Sequence, residues 1–445
     1  MTGDQILGLV MLFGMITVIF VGFPISFTLL FLGLVFGCIG LGAELTFNLA
    51  YLQIWGTMKD EVFPAVPLFI FMGFMTEQAG LMERLFAALR NLLAPVRGSL
   101  YLAVILTATI FAMATGIVGA AVTVLGIMAA PMMIKAGYDA RLSSGAIAAG
   151  GTLGILIPPS VMLVVMGPTM GVPVNLLYSA AFGPGFLLAA MYIVYTLVRS
   201  FINPSLGPPV PKEDRITDPL VVLREVVVGV LPLALLIGFT LGTILAGMAT
   251  PTEAAACGAS GATLLALCYR KLSFKVLKNA AVSTLMTAGV VILLAVASNV
   301  FGAVFTKLGT AQVITETLAA IPVPDIWKLI IIMIAIFLLG WPFEWPAIVL
   351  VFLPIVLPVV ETLQLGMNKL ELLLWFGALT AVNLQTAFLS PPVAMSAYYL
   401  RNVVPQWSLG LIYRGMGDFM VIQVICLAIV MVFPDLVLWL PRSLR

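Results

Sequence analysis

The sequence predicts an all-α, polytopic membrane protein whose two halves run in the same order, and three observations carry that expectation. Of its 445 residues, 62% are hydrophobic and only 9% are charged, whereas soluble domains carry roughly a quarter charged residues. Apolar stretches of the roughly 17–25 residues needed to cross a bilayer recur from end to end. Two proline pairs, Pro158-Pro159 and Pro391-Pro392, interrupt such stretches, one pair in each half. Every backbone N–H and C=O in lipid needs an internal partner, so an interrupted span survives only where it is buried or lines a cavity.

Apolar runs with flanking charges read as spans over 5–21, 24–43, 62–80, 142–168, 176–198, 226–247, 252–269, 280–303, 372–400 and 416–433. Two further stretches, 100–134 and 327–360, break at Thr115-Gly116 and between Gly340 and Pro346. Their half-segments are short for a crossing, so each stretch is expected to be a re-entrant helical hairpin. Lys and Arg concentrate on the cytoplasmic side of short loops. Placing 81–99, 135–141, 199–225, 270–279 and 401–415 inside puts 15 of the 21 basic residues there and both termini outside. The Pro-rich stretch 204–219 then links a first half, 1–203, to a second, 220–445, and its charges are read as solvated.

The halves align as an internal repeat. The segment around Pro24 corresponds to that around Pro251, an offset of 251 − 24 = 227, and Pro158 corresponds to Pro391, an offset of 391 − 158 = 233. Each half runs helix, polar arm, helix, hairpin, proline-broken helix, final helix. The arm at 44–61 is acidic and that at 270–278 is basic, so the second half is expected to enter the membrane upside down.

Several classes are excluded or disfavoured. Asp4 stands where a signal peptide would be basic. The four cysteines lie in or beside apolar spans without metal-ligand spacing and read as packing residues. There is no histidine, no basic aromatic-rich segment for nucleic acid and no phosphate-binding G-x-x-x-x-G-K-[ST]. Enzyme chemistry is disfavoured for want of a Ser/His, Cys/His or carboxylate dyad, leaving an ion gradient or a partner as the energy source. Paired broken helices in two halves point to the binding site of a secondary carrier.

Around the first break, Thr115, Thr123 and the carbonyls near Gly116 and Gly119 offer oxygen ligands. In GGTLGILIPPS (150–160), Gly150, Gly151 and Gly154 relax the helix, Thr152 adds a hydroxyl, and Pro158-Pro159 leave carbonyls one turn earlier without donors. A dehydrated Na+ would satisfy those carbonyls; so would a neighbouring hydroxyl or water, and small-residue runs also serve tight packing. Around the second break, Asn383, Gln385, Thr386 and Ser390 are the polar groups of an otherwise apolar helix facing GWPFEWPAIV (340–349). Glu344 is the one carboxylate placed near mid-membrane, where an ionisable group is costly and by default functional. Cation ligation, proton carriage and neutralisation by the hairpin backbone are all open to it, with a coordinating or structural role preferred. Glu253 and Glu77 lie nearer span ends, and Glu253 reads first as a helix cap. No Lys or Arg falls in the four broken segments, so an anionic cargo would rely on half-helix N-termini, Asn and Thr groups and bound cations.

GGTLGILIPPS after Met133, Gly137, Tyr138 and Asp139, TPTEAAA at 250–256, and PIVLP at 354–358 resemble the large, DctM-type membrane subunit of tripartite ATP-independent periplasmic (TRAP) transporters. The resemblance covers essentially the whole chain. It implies an ion-transporter-superfamily fold with two inverted repeats and Na+-driven, elevator-type uptake of an organic acid across the bacterial inner membrane, the lipid bilayer being the chain's surroundings. It also implies a separate small four-helix membrane subunit and a periplasmic substrate-binding protein. On that basis Na+ is expected at Thr115, Gly116, Gly119, Gly151, Thr152 and Pro158, and again at Gly340, Glu344, Asn383 and Thr386. Cargo is expected against Thr115, Gly154, Pro159, Ser160, Trp341, Pro342, Gln385 and Ser390. Two departures stand out: Thr115-Gly116-Ile117 replaces a Ser-rich first tip, and Trp341, Pro342, Phe343 and Trp345 crowd the second tip around Glu344. A more apolar or aromatic acid is expected from that bulk. The alternatives are a single-component dicarboxylate symporter of the same superfamily and a membrane scaffold without a transport cycle.

Overall fold

The computed structural model describes residues 1–209, 215, 218–391 and 393–444, with only the backbone of Ala112, Ala114, Thr115, Pro219 and Ala319. Among these residues the fold is all helical. The first half holds α1 (Gly3–Phe20), α2 (Ile25–Leu41), α3 (Ala43–Lys59), α4 (Ala65–Gln78), α5 (Leu81–Leu93), α6 (Ser99–Thr115), α7 (Val118–Lys135), α8 (Ala140–Thr152), α9 (Val161–Met170) and α10 (Val174–Ile202). The second holds α11 (Pro219–Leu245), α12 (Pro251–Cys268), α13 (Phe274–Lys307), α14 (Thr310–Ala319), α15 (Asp325–Leu339), α16 (Trp345–Ala347), α17 (Leu353–Val360), α18 (Lys369–Leu384), α19 (Met395–Val403), α20 (Leu409–Val432) and α21 (Asp435–Ser443). Seven of the described helices are long and apolar enough to cross a bilayer.

Both interrupted stretches turn where the sequence breaks. The first breaks between α6 and α7 at Gly116-Ile117, and these two helices pack on one another; the second breaks between α15 and α16 over 340–344. Both proline-containing helices are split as well: α8 runs through a 3-10 turn at Leu153–Ile155 and resumes as α9, and α18 runs through Thr386–Phe388 and resumes as α19. Pro392 lies outside the described residues. Glu253 caps α12 as the sequence suggests: its side chain accepts from the Thr250 N–H at 2.8 Å while the Thr250 hydroxyl accepts from the Glu253 N–H at 3.2 Å.

Three segments differ from the sequence reading. Residues 81–99, expected as a loop, hold the amphipathic helix α5. Leu81, Met82, Leu85, Phe86 and Leu89 recur at helical spacing and are buried, which outweighs the charges between them. Gly80, at φ +70, lets α5 leave α4 at 61°. The second polar arm is continuous with its span: α13 is one helix of 34 residues, since no proline or left-handed glycine falls within it. The first arm is instead cut from α2 at Gly42, whose φ of +85 is open to glycine alone among common residues. The cysteines differ too, for Cys426 is buried whereas Cys257 and Cys268 stand exposed on α12.

The broken helices form the centre of the molecule. The span around α18 is 89% buried, against 17% for α1 and 22% for the span in α11, so lipid-facing surface lies on the latter two. Packing is reciprocal between the halves: α2 lies on α13 as α4 lies on α12, and α8 lies on α20 as α18 lies on α10. Small residues permit the central crossings; Gly415 of α20 rests on the Arg141 carbonyl and Ser144 of α8.

Candidate functional site

At the first tip the chain reverses within two residues because Gly116 takes φ +60, which costs an L side chain energy. A Cβ on Gly116 would sit 3.3 Å from the Val161 nitrogen and 3.9 Å from the Gly154 carbonyl oxygen. The tip therefore lies directly on the break between α8 and α9. Gly119, one turn into α7, is covered by the Tyr399 ring, 2.9 Å from its Cβ position. Gly151 lets α7 approach α8, its Cβ position being 3.1 Å from the Val122 nitrogen.

The hydroxyls of this first break are bonded to nearby backbone. Thr152 Oγ1 donates to the Ala149 carbonyl at 2.8 Å, and Ser160 Oγ donates to the Ile155 carbonyl at 2.6 Å. The Tyr178 hydroxyl donates to the Ser160 carbonyl at 3.3 Å. Pro158 and Pro159, joined by a cis peptide bond, bring no N–H to the carbonyls before them. Thr115 ends α6, and its side chain lies outside the described residues.

The second break repeats the contact with different chemistry. A Cβ on Gly340 would lie 3.1 Å from Ala387 Cβ, so this tip also rests on its interrupted helix. Ala387 and Gly154 are separated by 387 − 154 = 233, the offset of the proline pairs. Asn383 Nδ2 donates to the Met333 carbonyl at 2.7 Å, tying α18 to α15. Thr386 Oγ1 donates to the Asn383 carbonyl and Ser390 Oγ to the Thr386 carbonyl, both at 2.7 Å. Asn383 Oδ1, both amide atoms of Gln385 and Thr380 Oγ1 are buried without a protein partner. Buried groups of this kind cost about 1–3 kcal/mol each when unpaired.

Between the tips lies a cavity of about 350 Å³. Gly116 to Gly119 border it from the first hairpin, Glu344 to Pro346 from the second, Ile155, Val161 and Phe388 from the broken helices, and Tyr399 from α19. Ile70 of α4 and Met286, Thr287, Val290 and Val291 of α13 close the opposite wall. Of the residues the sequence singled out, Gly116, Ile117, Gly119, Glu344 and Trp345 border the cavity. Gly154, Pro159, Ser160, Gln385 and Ser390 are buried behind or beside that lining, except that Ser390 reaches Met420 Sδ at 3.3 Å. Trp341, Pro342 and Phe343 border a separate cavity of about 750 Å³ against Phe20 of α1, and the Phe343 ring lies tilted against Phe352 at 5.2 Å. No hydrogen bond to the hairpin backbone holds the Glu344 side chain among the described residues. Glu77 is away from this lining, in α4, with Oε2 buried and unpartnered. Sequence reasoning missed Tyr399, Thr287 and Ile70. Tyr399 follows the second proline pair and Thr287 is a polar interruption of an apolar helix, yet neither marks itself out without the fold.

Interrupted helices paired with hairpins around a small cavity, inside an apolar helical bundle, define a multi-pass membrane transporter. The fold agrees with solved carriers: the YdaH transporter of Alcanivorax borkumensis superposes with a TM-score of 0.60 at 15% identity over 88% of both chains. MtrF of Neisseria gonorrhoeae does so with 0.56 at 13% identity, over 88% of this chain and 84% of its own. Residues 12–436 match the family "Tripartite ATP-independent periplasmic transporter, DctM component", and the chain belongs to that family. It is thus a TRAP large permease and not an enzyme. It is similar to the sialic acid TRAP transporter large permease SiaM of Vibrio cholerae, 29% identical over 97% of each chain. It is also similar to the C4-dicarboxylate permease DctM of Pseudomonas aeruginosa, 28% identical over 88% of this chain and 89% of that one. The 2,3-diketo-L-gulonate permease YiaN of Escherichia coli is 25% identical over 92% and 98%.

Proposed function

We propose that this permease carries out Na+-coupled, elevator-type uptake of an organic acid across a bacterial inner membrane. The observation that carries the reading is the convergence of two tips and two interrupted helices on one cavity, together with buried oxygens without protein partners in the second interrupted helix. Such neutral oxygens suit a dehydrated cation, as unwound backbone does in discontinuous helices. One Na+ would lie by Gly116, Gly119, Gly151, Thr152 and Pro158, near Thr115. A second would lie by Gly340, Asn383 and Thr386, with Glu344 at its edge. The two halves act as inverted repeats, 1–203 and 220–445 joined by 204–219, with both termini periplasmic; the shared 233-residue offset and the reciprocal packing support this. Hairpins and broken helices would move as one body against α2 to α4 and α11 to α13. Relatives named for sialic acid and C4-dicarboxylates support a carboxylate cargo. Their family description supports delivery by a periplasmic binding protein and assembly with a small membrane subunit.

The test is uptake by proteoliposomes holding this chain and its small subunit, with the soluble protein outside. Uptake should require both an inward Na+ gradient and the soluble protein. Equal uptake without the gradient removes the coupling, and equal uptake without the soluble protein makes the chain a single-component symporter.

A further inference from the structure

The cavity between the tips has an unusual charge balance for a carrier of acids. Glu344 is exposed toward it, and among the described residues its carboxylate forms no ion pair or side-chain hydrogen bond. Among the described residues no Lys or Arg lines the cavity. Apart from Glu344, the side chains offering polarity among the described residues are Thr287, Tyr399 and the indole N–H of Trp345. A carboxylate in a low-dielectric wall is costly until a cation or donor meets it. It also repels a second negative charge placed against it, which is how a site rejects a dianion. Trp345, Phe388 and Tyr399 add aromatic rings to the same wall, whose faces attract organic ammonium groups.

We infer that the cargo is zwitterionic: a small acid that also carries a protonated amine, seated with its nitrogen at Glu344 and the rings around it. Its carboxylate lies at the opposite tip, where Val118 and Gly119 begin α7 and border the cavity. The free N–H groups and positive dipole end of that helix favour an anion. The cargo thus spans from the first hairpin to the second, and its own two charges satisfy both ends. This rests on the transport reading above and narrows it to a substrate class. Glu344 then serves the cargo, and the cation keeps the neutral oxygens of Asn383 and its neighbours.

The experiment is ligand binding to the full chain in lipid nanodiscs with Na+ present, using matched acids that differ only by an ammonium. The panel includes glutamate against glutarate, phenylalanine against hydrocinnamate, and γ-aminobutyrate against butyrate. The amino member of at least one pair should bind tighter than its partner by about tenfold or more. Glu344→Gln should erase that preference and Glu344→Asp should retain part of it. Acid members binding as tightly as amino ones, a preference unchanged in Glu344→Gln, or no binding by any amino member each overturns the inference. A Glu344→Gln variant that loses Na+ dependence but keeps the amine preference overturns it too, assigning the carboxylate to the cation. Binding that follows Glu344 without any Na+ dependence would instead overturn the coupling and leave the cargo assignment standing.

Discussion

The two breaks share a geometry and differ in how their polar groups are used. At the first, Thr152 and Ser160 donate their hydroxyl protons to carbonyls within the same segment, leaving lone pairs and backbone as ligands. At the second, Asn383 Oδ1 and the whole Gln385 amide are buried without partners. Both breaks are stabilised by their own hydroxyls, for Thr386 and Ser390 bond within the second as Thr152 and Ser160 do within the first, but the second also holds polar atoms that protein structure alone leaves unsatisfied. A cation or cargo group therefore has more to contribute at the second.

Breaking the second site should have the larger effect. Asn383→Leu removes an unpaired oxygen and the amide that ties α18 to the Met333 carbonyl, so Na+ affinity should fall by on the order of 100-fold, read by the Na+ dependence of uptake. Gln385→Leu should separate stability from function. Removing a buried unpaired amide should stabilise the protein by about 1 kcal/mol, seen as a higher Tm, while uptake drops. Unchanged uptake would make Gln385 a structural residue. At the tips the order reverses. Gly116→Ala forces a side chain into φ +60 and should cost about 1–2 kcal/mol in thermal unfolding. Gly340, at an ordinary φ of −64, needs only a slight shift of Ala387, so Gly340→Ala should cost less. The smaller effect belongs to Thr152→Val, which removes one hydroxyl oxygen from the first Na+ site; Na+-dependent uptake should fall by about tenfold. A loss matching that of Asn383→Leu would erase the contrast.

Much of this was legible in the chain. Pro158-Pro159, Pro391, Gly116 and Gly340 are backbone constraints, and such constraints act locally, so both breaks and both tips fall where the residues place them. The segment 81–99 and the second arm are less legible because charge reads as a sign of loop: Leu85, Phe86 and Leu89 bury one face of α5, and α13 absorbs Lys275 and Lys278 into its first turns. The cavity lining was hidden for another reason. Ile70, Thr287 and Tyr399 reach it from three distant elements, and only the packing of α4, α13 and α19 brings them there. Trp341 looked like a binding residue from its place at the tip, yet the five-residue turn directs it to the α1 side.

The most direct measurement of the difference between the breaks is the thermal stability of the purified chain titrated with NaCl against choline chloride. The account predicts that Na+ raises the Tm of the wild type most, that of Thr152→Val by less, and that of Asn383→Leu least, through the first site alone. Equal Na+ shifts in the wild type and Asn383→Leu would contradict it.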